Sequence, residues 1–150
     1  MTSGGSRMDP GNDAPPVRGI TGLNAFLWFI QFFLAAQYLF HGWLFISPPP
    51  AMVEAMAGMG LHVSFRQFIG IAEVVAAIGL VLPGLTRMLP SLTPLAALGL
   101  TVVMISATIF HISRNEIPSA ASTVNLLVLV ALTAYLRWKV VPVRSRAGQH

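Results

Sequence analysis

A chain of 150 residues that is 55% hydrophobic and only 9% charged, with a mean hydropathy of +0.71, lacks the polar surface of a water-soluble fold, since soluble domains are about 25% charged. With no cysteine, disulfides, thiolate metal sites and thiol redox chemistry have no residue to carry them in this chain. The formal net charge of +4 does not point to nucleic acid as a partner, because four of the nine cations crowd into the last fourteen residues, RWKVVPVRSRAGQH, as a membrane-flanking basic tail does.

Residues 1–22, MTSGGSRMDPGNDAPPVRGITG, are rich in Gly, Ser, Pro and Asp without an apolar run, and predict a disordered tail. This tail lacks the layout of a secretory signal, so residues 23–46, LNAFLWFIQFFLAAQYLFHGWLFI, predict an uncleaved first span. About 20 residues rising roughly 1.5 Å each cross a hydrocarbon core of about 30 Å. SPPP at 47–50 stops that helix, because proline lacks the N–H donor and restrains its predecessor. AMVEAMAGMGLHVS, 51–64, is too short and glycine-rich to span. Its Met52, Met56 and Met59 suit a short interfacial helix as packing or lipid-facing residues.

The second span is expected over about 66–82, closed by Pro83 and Gly84. GLTRMLPSL then leads to a third span over about 94–112, with Thr93 as N-cap and Pro94 in the first turn. RNEIPSA, 114–120, reads as a polar turn before a fourth span over about 121–140. The end of that span, YLRWK, places Tyr135 and Trp138 at headgroup level and the cations just outside. Residues 141–150 form a basic tail. The expected fold is therefore all-α, a transmembrane four-helix bundle running up-down-up-down. Arg7, Arg18, Arg87, Arg137, Lys139, Arg144 and Arg146 fall on one side of it and only Arg66 and Arg114 on the other, which predicts both termini in the cytoplasm.

Polar residues inside the spans share one depth. Glu73 lies seven residues below Arg66, or on the order of 10 Å along the axis. His41 is five residues from the end of the first span, His111 is near the end of the third, and Asn125 is about one turn into the fourth. Gln37 is one turn from His41, with Gln31 and Tyr38 on an adjoining stripe. Together His41, Glu73, His111, Asn125 and Gln37 form a candidate ligand-binding layer. Glu73 shares a face with Gly70, Ala77 and Arg66, and small neighbours favour close helix approach. This argues for the bundle interior, since an ionic side chain in lipid costs about 2.5–3.5 kcal/mol even on the lenient scale. Simpler readings stand beside this one: Gln31, Gln37, Thr108, Ser122 and Asn125 as interhelical hydrogen-bonding residues, His111 as an interfacial histidine, and a structural Glu73–His41 pair.

The stretch GIAEVVAAIGLVLPGLTRMLPSLTPLAALGLTVVMISATIFH, residues 70–111, resembles the DoxX-like family of small bacterial membrane proteins. The likeness extends over about residues 26–138, from FHG at the end of the first span to VNLLVLVALTAYLRW in the fourth. Its motif positions fall on Gly70, Glu73, Gly79, Pro83, Pro94, His111 and Asn125. The resemblance implies a four-helix protein of the bacterial inner membrane. It also implies links to quinol oxidase subunits, thiol-oxidant defence complexes or membrane-protein assembly.

The leading expectation is a non-catalytic subunit of a membrane oxidoreductase system, or a binder of a small quinol-like molecule, with the lipid bilayer and a membrane or redox protein as partners. Histidine and carboxylic acid suit quinone oxygens because both can donate and accept hydrogen bonds. The alternatives are proton-coupled transport through Glu73, haem ligation by His41 and His111 or a divalent ion held with Glu73, and a scaffold whose polar layer only fixes helix register. Soluble catalytic signatures such as a phosphate loop or H-E-x-x-H are absent.

Overall fold

The computed structural model describes residues 18–58 and 60–143. Among them the regular structure is helical throughout: α1 Arg18–Ile46, α2 Pro50–Ala57, α3 Val63–Thr86, α4 Leu92–Ser113 and α5 Ile117–Tyr135, with a π-helical segment over Leu136–Val140. Four of these, α1, α3, α4 and α5 with its π segment, are long and apolar enough to cross a membrane. The expectations for residues 1–17, Met59 and residues 144–150 lie outside the described residues.

Several helix ends differ from the sequence expectation. α1 already includes Arg18, five residues before the expected start, because extending a nucleated helix adds one hydrogen bond per residue fixed. α3 does not close at Pro83 but runs on to Thr86, capped by Arg87 in the left-handed region at φ 56°. Proline removes one ladder bond, yet ending a helix in hydrocarbon would leave more backbone groups unsatisfied, so a spanning helix tolerates it. The N-cap of α4 is Ser91 rather than Thr93, which lies buried in the first turn. α5 begins at Ile117, inside the segment expected as a turn, because Pro118 in its first turn has φ already set for a helix.

The spanning helices form a ring in sequence order: α1 packs on α3, α3 on α4, α4 on α5, and α5 closes onto α1, while the backbones of the diagonal pairs stay apart. Leu34, Tyr38, Leu80, Leu100, Met104 and Val130 meet in the centre. On α3 the buried residues are Arg66, Gly70, Glu73, Ala77, Leu80 and Pro83, a stripe at steps of three and four that keeps one side of the helix toward its neighbours. The outward faces carry Phe29, Phe40, Trp43, Val75 and Val102, as a lipid solvent requires. Asn24 near the start of α1 bonds Arg137 near the end of the last helix, so the first and last spanning helices bring their outer ends to one end of the bundle, the proximal end. The opposite end is distal.

At the distal end α1 and α3 approach at backbone contact. A Cβ built on Gly42 would lie 2.7 Å from the Gly70 carbonyl oxygen, and one on Gly70 would lie 2.6 Å from that of Gly42. The short α2 covers this end. Arg66 donates to the Phe45 carbonyl and reaches Met56 Sδ at 3.7 Å, and Arg114 Nη2 donates to the Gly58 carbonyl at 3.2 Å.

Candidate functional site

The glycine contact draws the next residues of both helices together. His41 Nδ1 lies 2.6 Å from Glu73 Oε2. The two partners differ sharply in surroundings, for the Glu73 side chain is 0% exposed and that of His41 48% exposed. The imidazole leans on Phe45 with ring centroids 4.4 Å apart. With Nδ1 engaged by the carboxylate, Nε2 remains as the hydrogen-bonding atom of a ring that faces outward. Glu73 Oε1 and the Tyr38 hydroxyl are buried without a hydrogen-bond partner among the described residues. Tyr38 is one turn from Gly42, which itself abuts Glu73 Cβ, so the α1–α3 seam holds two polar atoms that no other described residue satisfies.

The rest of the expected layer does not converge on this pair. His111 Nδ1 sits 2.7 Å from Glu116 Oε2, and Arg114 Nε donates to Glu116 Oε1 at 2.8 Å. Arg114 also stacks over the Phe110 ring at 5.4 Å. Hydrogen bonds from Arg114 and then from His111 hold the Glu116 carboxyl below its ordinary range. His111 occupies the last turn of α4, so its side chain is nearer the following loop than the bundle centre. Asn125 and Gln37 are exposed on α5 and α1 and make no hydrogen bond among the described residues. Equal depth therefore separates into a His41–Glu73 couple with Gln37 one turn away, a His111–Arg114–Glu116 latch, and a lipid-facing Asn125. The two imidazoles engage different carboxylates, and among the described residues no three His, Asp or Glu side chains cluster as metal ligands.

A second polar centre, not foreseen from the sequence, occupies the proximal end. Arg137 was expected outside the bilayer but turns inward and is 3% exposed. Its Nε donates to Gln31 Oε1 at 2.6 Å, and its Nη1 donates to Asn24 Oδ1 at 2.7 Å and to the Val141 carbonyl at 3.3 Å. The guanidinium lies 5.4 Å from the Trp28 ring centre. Gln31 in turn donates to the Leu80 carbonyl on α3, so three helices share the network. The signal was present in the spacing: Val130, Thr133, Ala134, Arg137 and Val141 are all buried, and this stripe continues the core face through the arginine.

The couple is open on its imidazole side and enclosed on its carboxylate side. One groove, of about 310 Å³, lies between α4 and the last helix. Another, of about 90 Å³, is bordered by Met56, Leu61 and Arg66 beneath α2. Neither is lined by His41, Glu73, His111, Asn125 or Gln37. In comparison with known proteins, the model of the DoxX-like family matches residues 29–134, a range that contains the whole layer. No curated protein and no solved structure matches the chain.

Proposed function

Because the chain belongs to the DoxX-like family and has the four apolar helices of a multi-pass membrane protein, we propose that it binds a quinol-like lipophilic molecule from the bilayer at His41 and Glu73. It does so as a non-catalytic subunit of a membrane oxidoreductase system in the bacterial inner membrane. The observation that carries this reading is the 2.6 Å contact between a fully buried carboxylate and a half-exposed imidazole. A ligand hydroxyl arriving through lipid meets His41 Nε2, and Glu73 holds the ring in place from behind. Gln37 offers an amide as a second partner about 6 Å further along the helix. The unpaired Tyr38 hydroxyl and Glu73 Oε1 add hydrogen-bonding capacity in the same seam.

A short-chain ubiquinol analogue titrated into the nanodisc-embedded protein tests this reading. We expect saturable binding that weakens about tenfold or more in His41→Ala and in Glu73→Gln, since hydrogen bonds involving charged groups are worth about 1.5–3 kcal/mol. Absence of saturable binding, or unchanged affinity in both variants, overturns it. The Gly42–Gly70 approach favours a second reading, in which the couple is a clasp between α1 and α3. In that case the variants lose stability and leave ligand affinity untouched.

A further inference from the structure

At the proximal end, away from the His41–Glu73 couple, the groove of about 310 Å³ runs along the surface between α4 and the last helix, open on one side as a site for a lipid in the surrounding bilayer must be. Leu98, Thr101 and Ala131 border it toward the bilayer interior, and Tyr135, Trp138 and Lys139 border it toward the proximal surface. Thr101 adds little polarity because its hydroxyl is already bonded to the Ala97 carbonyl at 2.8 Å. The remaining polar groups thus belong to two amphipathic aromatic residues and one ammonium.

Local backbone geometry explains the shape. Val141 N–H donates to the Leu136 carbonyl at 2.7 Å, the i to i+5 bond of a π-helix, which fits an extra residue into the turn. Arg137 anchors this wide turn toward α1 through Gln31 and Asn24, and the groove opens on the opposite side, toward α4. Trp138 and Lys139 follow directly and are exposed.

The charge around the groove has one sign. Among the described residues the acids are Glu54, Glu73 and Glu116, all toward the distal end, whereas Arg87, Arg137 and Lys139 lie at the proximal end. Tyrosine and tryptophan settle at the boundary between acyl chains and headgroups. A lysine one residue beyond Trp138 is therefore at phosphate depth. We propose that this groove is a binding site for one anionic phospholipid of the proximal leaflet, with an acyl chain along Leu98 and Ala131 and its phosphate on Lys139. The site is independent of the quinol reading, because it shares no residue with it.

Native mass spectrometry of the full chain released from nanodiscs tests the proposal. The nanodiscs contain phosphatidylglycerol and phosphatidylcholine in equal amounts. The expected result is retention of one phosphatidylglycerol per chain in preference to phosphatidylcholine. Lys139→Ala lowers that retention about fivefold, the size of one cation's attraction at a membrane surface, and Lys139→Arg preserves it. Leu98→Trp, which fills the groove, removes the retained lipid. Arg87→Ala, at the same end but outside the groove, leaves retention unchanged. Circular dichroism and thermal midpoints report whether each variant is folded, and the exposed Lys139→Ala carries the test if Leu98→Trp does not fold. Equal retention of the two lipids, unchanged retention in Lys139→Ala, or an equal loss in Arg87→Ala overturns the proposal.

Discussion

At the scale of single residues, Arg137 shows how a cation is held within a lipid-soluble fold. Its charge is shared among two side-chain amide oxygens, a backbone carbonyl and the Trp28 ring, with no carboxylate partner among the described residues. Arg137→Met would strand the oxygens of Gln31 and Asn24. We expect it to lower stability by about 1–3 kcal/mol for each oxygen left unpaired, measured by unfolding in mixed micelles. Arg137→Lys should rescue little, since a single ammonium cannot reproduce the planar fork. Glu116 makes a prediction of the opposite charge. Because its carboxyl is held below the ordinary range by Arg114 and His111, the latch contributes fully above the unfolded carboxylate pKa. That contribution is lost as pH falls through the lowered folded value. Limited proteolysis of the α4–α5 turn should accelerate on acidification, and Glu116→Gln should flatten the profile. The same scale shows what a sequence makes legible. The height of a side chain along a helix can be counted from sequence, and the common depth of His41 and Glu73 follows from counting. Its direction around the axis depends on where the neighbouring helices stand, and that is why the exposure of Gln37 and Asn125 was not legible from the sequence.

At the scale of elements, the α1–α3 seam rests on two hydrogen atoms where other residues have a Cβ. Gly42→Leu or Gly70→Leu must push the helices apart, because the nearest obstructing atom in each case is a backbone carbonyl oxygen. We expect each to cost about 1–3 kcal/mol as overpacking does. Gly99→Leu, where a Cβ would meet no atom within 4 Å, should be near neutral in the same unfolding assay. A loss at Gly99 equal to that at Gly42 would contradict this packing. The glycine-containing face of α3 was legible because Gly70, Glu73 and Ala77 recur at helical spacing. The helix ends were less so. Pro83 is a strong stop signal in water, but within a spanning segment the alternative to a weakened helix is exposed backbone in hydrocarbon, and the helix persists.

At the scale of the whole molecule, the four apolar helices define a multi-pass membrane protein, and the unequal distribution of Lys and Arg predicts its orientation. Reporter fusions at either terminus should be cytoplasmic, and one inserted near Gly58 should lie outside. Arg137 and Arg66 are turned into the protein, so the orientation signal comes mainly from Arg87, Lys139 and the cations of the two tails. The ring itself has an uneven perimeter. Consecutive helices lie along each other over much of their length, but the closure of the first spanning helix on the last is slighter, and the arginine network is its principal polar join. Assembly therefore has a natural sequence: two hairpins can mature separately after insertion and lock afterwards. A gene split between Arg87 and Ser91 should still yield a working pair of fragments joined along α3 and α4, and the pair should hold together less firmly once the arginine rivet is drawn.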